Sequence, residues 1–217
     1  MQYQTILFDL DGTLTDSAPG ILNSVRYACR KLGLPLPGEA KLRGFLGPPL
    51  PWSFRTILGL GEADAARAVA AFREYYPETG LFENAVYPGI PELLAALQAA
   101  GKTVAVATSK PEPFARRILA HFALDGCCTA ICGATIDETR TDKGDVVAYA
   151  LQTLGAAGAR PAVMVGDREH DVRGAAQNGL PCIGAVYGYG TAEELSAAGA
   201  AALAGTVAEL HTLLLQN

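Results

Sequence analysis

The stretch Thr5-Ile6-Leu7-Phe8-Asp9-Leu10-Asp11-Gly12-Thr13 decides how this chain is read. Its first four residues form a short apolar run of the kind that becomes a buried strand. Asp9 and Asp11 follow, two residues apart, at the C-terminal end of that strand. Strand side chains at i and i+2 point the same way, so the two carboxylates are expected to converge on one spot. Open α/β sheets hold their ligands at the carboxyl ends of their strands. Gly12 then lets the backbone turn tightly or approach a ligand closely. Like charges brought together are costly unless a cation or a proton separates them, so the pair predicts a chemical site. A bare Asp-x-Asp also occurs at ordinary strand–turn junctions; the longer string DLDGTLTDS is far more specific.

Bulk properties narrow the classes. With 217 residues the chain is either one large domain or a core with a smaller appendage. Half of it is hydrophobic and 18% is charged, enough apolar material for a sizeable core. A net charge of −5 and a pI near 5.2 argue against a nucleic-acid or anionic-membrane surface. Catalysis on an anion would therefore need local cations. The N-terminus MQYQT has neither a basic stretch nor an apolar run, so no signal peptide is expected. The Ala-rich stretch 197–208 has a membrane-like composition, but it contains two glycines and is shorter than the ~20 residues a bilayer requires. These features predict a soluble cytoplasmic protein. The five cysteines, an odd number, predict free thiols, with Cys127, Cys128 and Cys132 as small buried hydrophobes beside a strand.

Beyond the first strand the periodicity changes. Ile21, Leu22, Val25, Cys29 and Leu32 recur at helical spacing, capped by Asp16 or Ser17 and ended by Gly33. A proline- and glycine-rich loop, residues 44–51, precedes further helical patterns around Trp52, Ile57 and Leu58 and over 62–76. No convincing strand is expected between 15 and 84. After Tyr87-Pro88-Gly89, apolar runs at 103–107, 130–132, 162–165 and 182–186 alternate with helical segments at 91–100, 113–122, 143–154 and 171–178. Such alternation predicts βαβ units and a parallel sheet with helices on both faces, and a last helix over 207–215 packing back on the core. The expected architecture is an α/β Rossmann-like parallel sheet core, residues 1–15 and 83–217, with a helical cap, residues 16–82, inserted after the first strand.

Two more strand ends and one helix start carry residues suited to phosphate chemistry. The run 104–107 ends in Thr108-Ser109-Lys110, where hydroxyls and backbone N–H groups can hold phosphoryl oxygens. Lys143 opens a helix, and the run 162–165 ends in Gly166-Asp167, with Asp171 four residues on. In order and spacing, Asp9 with Asp11, Thr108, Lys143, and Asp167 with Asp171 resemble the four motifs of the haloacid dehalogenase (HAD) superfamily, across essentially the whole chain. The helical insertion resembles the C1 cap of subfamily I, which includes phosphoglycolate phosphatases. Tyr87-Pro88-Gly89-Ile90 and Tyr187-Gly188-Tyr189-Gly190 also look like that subgroup. One departure is that Gly144 follows Lys143, where many relatives have proline.

The resemblance implies a Mg²⁺-dependent phosphatase acting on a small phosphorylated metabolite, as a monomer or homodimer, without nucleic-acid or membrane partners. It implies that Asp9 attacks phosphorus to form an aspartyl-phosphate and that Asp11 protonates the leaving oxygen. Asp9, Asp167 and the backbone carbonyl of Asp11 would hold the metal, Asp171 would orient a metal-bound water, and Thr108, Ser109 and Lys143 would bind the phosphoryl group. Hard oxygen ligands suit Mg²⁺, which keeps several waters and bridges to phosphate. Lys110 is the rival for the cationic position. In the cap, Arg43 and Phe45 are the expected specificity residues, with Trp52 and Phe54 in its core. A phosphomutase of the β-phosphoglucomutase type shares these acids, and a signalling module that carries an aspartyl-phosphate without turnover is the alternative from another class. Gly101-Lys102-Thr103 is no P-loop, because it precedes a strand and the first glycine is missing.

Overall fold

The chain passes through β1 (Thr5–Phe8), β2 (Thr15–Asp16), α1 (Ala18–Lys31), α2 (Glu39–Arg43), α3 (Leu50–Leu58) and α4 (Glu62–Tyr75). A π-helical turn, Tyr76–Gly80, leads to β3 (Ala85–Val86), α5 (Ile90–Ala99), β4 (Thr103–Pro111), α6 (Glu112–His121), β5 (Ala130–Ala134) and α7 (Lys143–Leu154). The last elements are β6 (Ala162–Gly166), α8 (Glu169–Gln177), β7 (Cys182–Ala185), α9 (Ala192–Ala198), β8 (Ala202–Ala204) and α10 (Val207–Leu215). This computed structural model describes residues 3–137 and 139–215. It divides into two compact units: the chain up to Asp16 with the chain from Val86 onward, and Ser17–Ala85.

In the larger unit six strands form one sheet in the order β5-β4-β1-β6-β7-β8, and every ladder is parallel. Alternation within the strands explains its layers. Leu7, Ala105, Ala107 and Met164 join a core cluster with Val146, Val147 and Ala150 of α7, Val172 and Ala175 of α8, and Leu195 of α9. Their neighbours Ile6, Phe8, Val104, Val106, Val163 and Val165 are equally buried. A sheet buried on both faces reads as near-continuous apolar runs, as these strands do. Outside that cluster, α5 and α6 touch β4, α6 also touches β5, and α10 touches β8. Strand order reverses beside β1, whose successive neighbours in sequence lie on opposite sides of it. Such a switch point opens a crevice at the carboxyl ends of the strands, here β1, β4 and β6.

The smaller unit is helical, with a core that includes Leu22, Val25, Leu42, Phe45, Phe54, Ala68 and Phe72. Its aromatic contacts include Tyr27–Tyr75 and Phe72–Tyr76 stacks, each at 5.2 Å, and an edge-on Phe45–Phe54 pair at 5.0 Å. Trp52, expected in this core, is 45% exposed instead, while Phe54 is fully buried. The two residues stand two apart in α3, about 200° round the helix, so they cannot share one buried face.

The expectations for the end of the strand after Ala107 and for the burial of Cys127 and Cys128 also change. The strand expected to stop at Ala107 runs on to Pro111, with a register shift against β5 between Thr108 and Pro111. The Ala-rich stretch 197–208 divides into the end of α9, the strand β8 and the start of α10. No helix among the described residues is long and apolar enough to cross a membrane. All five cysteines are free, but Cys127 and Cys128 are only half-buried, unlike Cys132, because they sit in the turn before β5 rather than under the sheet.

Candidate active site

The site gathers at the carboxyl ends of β1, β4 and β6, where loops begin and side chains are no longer committed to the sheet core. β1 ends at Phe8, and the Asp9 N–H still donates to the Val165 carbonyl of β6 at 2.8 Å. That bond fixes the backbone from which the Asp9 carboxylate projects. Lys143, the first residue of α7, lays its ammonium between two acids. Nζ is 2.6 Å from Asp9 Oδ1 and 2.7 Å from Asp171 Oδ1, and it donates to the Ala107 carbonyl at 3.1 Å. Asp171, in the first turn of α8, accepts the Arg168 N–H on its other oxygen at 3.1 Å. It therefore caps α8 and fixes Lys143 with the same side chain.

Asp167 lies beyond the end of β6 and is fully buried. Thr13 Oγ1 donates to its Oδ1 at 3.2 Å and the Tyr189 N–H to its Oδ2 at 2.8 Å. Oxygens of Asp9, Asp167 and Asp171 lie within 4.8 Å of one another. Three carboxylates set against the single ammonium of Lys143 leave a formal charge of −2 in a place almost closed to water. Burial raises the Asp9 carboxyl from 3.8 to about 6; Lys143 opposes the rise and Asp171 adds to it. Asp167 is raised by burial and then by Asp171 and Asp9, against the Tyr189 N–H. Burial pulls Lys143 down, but Asp171 and Asp9 outweigh it and hold the ammonium charged. Carboxylates this crowded fit a divalent cation with a preference for hard oxygen.

The expected convergence of Asp9 and Asp11 is resolved by two lysines rather than one. Asp11 stands apart from the three-carboxylate cluster and accepts a forked contact from Lys110, whose Nζ lies 2.8 Å from Oδ1 and 2.6 Å from Oδ2. Lys110 is buried. The two rivals for one cationic role thus occupy separate places. The signal for Lys110 was its position two residues after Thr108. The extension of β4 puts that lysine, like Thr108, on the buried side, while Ser109 between them is exposed. Thr108 Oγ1 accepts the Lys110 N–H at 3.2 Å.

Gly144, the departure after Lys143, has a local cause. Its N–H donates to the capping Asp142 carboxylate at 2.8 Å, a bond proline cannot make, and a methyl there would fall 1.7 Å from Gln177 Oε1 on α8. In the smaller unit Arg43 is exposed, whereas Phe45 is 2% exposed with its ring on Phe54. The Phe45 ring is therefore part of that unit's own core, and Arg43 alone of the two expected selectors presents a side chain to solvent.

A family profile described as haloacid dehalogenase-like hydrolase matches residues 6–185. The chain is 49% identical to a 5'-nucleotidase from Pseudomonas aeruginosa over 91% of its own length and 89% of the relative's. It is 46% identical to the tyrosine-protein kinase PtkA of Mycobacterium tuberculosis over 88% of its length, spanning 64% of that protein. It is 33% identical to a phosphoglycolate phosphatase from Yersinia pestis, covering 88% of this chain and 84% of that one. Among solved structures, a predicted phosphatase from Clostridium acetobutylicum superposes with a TM-score of 0.90 at 43% identity, covering the whole of both chains.

Proposed function

The chain belongs to the haloacid dehalogenase-like hydrolase family, and from that premise we propose that it is a Mg²⁺-dependent phosphatase of small organic phosphate monoesters that works through an aspartyl-phosphate. Relatives named 5'-nucleotidase and phosphoglycolate phosphatase and a structural neighbour named a predicted phosphatase support the phosphatase part of this reading, while another relative is named a tyrosine-protein kinase. The observation that carries the finer reading is the buried −2 cluster of Asp9, Asp167 and Asp171 around Lys143, at the switch point of the sheet.

Phosphoryl transfer asks little covalent chemistry of a protein and much charge stabilisation and positioning. In this reading Asp9, Asp167 and the Asp11 carbonyl would hold Mg²⁺, which would supply neutralisation of phosphoryl-oxygen charge. Asp9 attacks phosphorus through a carboxylate oxygen, and the leaving oxygen departs with a proton from Asp11. Lys143 and Thr108 hold the transferring oxygens, with Ser109 beside them. Asp11 then takes a proton from the water that attacks the acyl-phosphate, and Asp9 is regenerated. Asp171 serves by holding Lys143. Arg43 is the proposed contributor to substrate choice from the helical unit.

The test is turnover by the purified chain of nucleoside 5'-monophosphates, 2-phosphoglycolate and p-nitrophenyl phosphate, with kcat/KM ranked, in Mg²⁺ and after metal stripping. Mg²⁺-dependent release of inorganic phosphate is expected, and it should be abolished in Asp9→Asn. Full activity of the stripped enzyme would remove the metal role. Transfer of phosphate to a second hydroxyl of the substrate would make it a mutase, and accumulation of phosphoenzyme without turnover would make it a signalling module.

A further inference from the structure

The segment Tyr187-Gly188-Tyr189-Gly190 follows β7, far from the acids in sequence, yet it lies directly against the site. The Tyr189 N–H donates to Asp167 Oδ2 at 2.8 Å, and the hydroxyl of the same residue donates to Asp16 Oδ1 at 3.0 Å. Tyr187 donates its hydroxyl to the Thr13 carbonyl at 3.0 Å, and the Thr13 hydroxyl donates to the other oxygen of Asp167. Asp167 is therefore gripped on one oxygen by the loop and on the other through a residue the loop holds.

The two glycines make this approach sterically feasible. A methyl at Gly188 would stand 2.2 Å from the Gly12 carbonyl oxygen and 2.5 Å from Cβ of Asp167. A methyl at Gly190 would stand 2.0 Å from the Asp167 carbonyl oxygen. These are backbone atoms or the root of a side chain, and they cannot swing aside as the tip of a long side chain can. A connection that only joined β7 to α9 would have no need to lie so close.

We propose that the Tyr187–Gly190 loop is a positioning element for the metal carboxylate, holding Asp167 in one orientation through the Tyr189 N–H and anchored by the Tyr189 hydroxyl on Asp16. The inference rests on the metal reading above. None of the four residues is assigned contact with the reacting atoms; their effect passes through Asp167. Partners that orient a metal-binding side chain commonly change metal affinity about 10–100-fold when lost. Tyr189→Phe removes only the anchor and retains the N–H, so its effect belongs at the lower end of that range.

The experiment is a Mn²⁺ titration of the metal-stripped full chain, with free Mn²⁺ followed by electron paramagnetic resonance. Wild type, Tyr189→Phe and Gly188→Ala are compared with Tyr75→Phe, which loses a hydroxyl bond to Glu83 within the helical unit. Tyr189→Phe is expected to weaken Mn²⁺ binding about 10-fold, Gly188→Ala at least as much, and Tyr75→Phe not at all. In activity assays Tyr189→Phe should move the Mg²⁺ concentration for half-activity more than it moves kcat at saturating Mg²⁺. A merely structural loop would lower the melting temperature and leave affinity in place. Wild-type affinity in folded Tyr189→Phe overturns the proposal, whether or not Gly188→Ala folds. A wild-type chain that binds no Mn²⁺ overturns the metal reading itself and this inference with it.

Discussion

Two buried lysines sit at this site, and their surroundings predict different losses. Lys143 faces two carboxylates that are 11% and 2% exposed, whereas the Asp11 side chain opposite Lys110 is 22% exposed. Removing one partner of a well-buried pair leaves an uncompensated charge and costs about 3–5 kcal/mol. Lys143→Met should therefore lower the stability of the metal-free protein by more than Lys110→Met does, measured by urea denaturation. The kinetic split should run differently. Lys143→Met should lower kcat/KM on every phosphate ester by about 10²–10³, the scale of losing one charge-stabilising donor. Lys110→Met acts through Asp11, so it should hurt alkyl phosphates more than p-nitrophenyl phosphate, whose leaving group needs no proton. Equal losses on both substrates would show that Lys110 binds the phosphoryl group instead.

At the scale of elements, the site depends on how closely α7 and α8 approach. A methyl at Gly174 of α8 would stand 2.6 Å from Cγ of Lys143 and 2.9 Å from its carbonyl carbon. A methyl at Gly144 of α7 meets the tip of Gln177, which can turn away, and otherwise lies 3.0 Å from the Asp142 carboxylate, also a side-chain atom. Gly174→Ala should therefore displace the helix that delivers the lysine, while Gly144→Ala should be absorbed by one side-chain rotation. Expected outcomes are a loss of activity in Gly174→Ala well beyond that in Gly144→Ala, and a larger drop in its melting temperature. Comparable behaviour of the two variants would mean that α7 shifts freely without disturbing Lys143.

For the whole molecule, the buried negative charge makes stability depend on pH and metal together. The Asp9 carboxyl titrates near 6 in the folded chain against 3.8 ordinarily, so between those values the folded state binds more protons than the unfolded one. Stability of the metal-free protein from this group therefore falls as pH rises through that window and levels off above it. A cation that binds the ionised cluster stabilises the folded state by mass action, and more strongly as the competing proton leaves. The rise in melting temperature on adding Mg²⁺, relative to EDTA, should accordingly be small near pH 4 and grow as pH rises and Asp9 and the likewise raised Asp167 lose their protons. Taking the difference removes groups that titrate equally in both solutions. An increment that is flat with pH would place the ion away from Asp9.

Much of this protein was determined by its sequence alone. Apolar runs ending in Asp-Leu-Asp, Thr-Ser-Lys and Gly-Asp are local patterns, and a parallel sheet brings the carboxyl ends of its strands together whatever the intervening lengths. That is why the acids at the ends of β1 and β6 could be expected side by side and why the helical stretch after the first strand stood out from the alternation that follows, whereas Thr108, Lys143 and Asp171 joined them through the resemblance to the HAD motifs. Periodicity reports which face a residue takes, but not which distant residue it meets there. Lys110 on Asp11, Lys143 on Asp9 and Asp171, and Tyr189 on Asp167 are pairings made by the fold. The extension of β4 beyond Thr108 follows its ladder with β5, a neighbour that no local pattern identifies. Likewise Phe45, in the turn after α2, is buried against Phe54, and Trp52 is exposed because it lies two residues, about 200° round the helix, from Phe54, which holds the buried face. Only the tertiary structure decided these, since each rests on contacts between segments far apart in the chain.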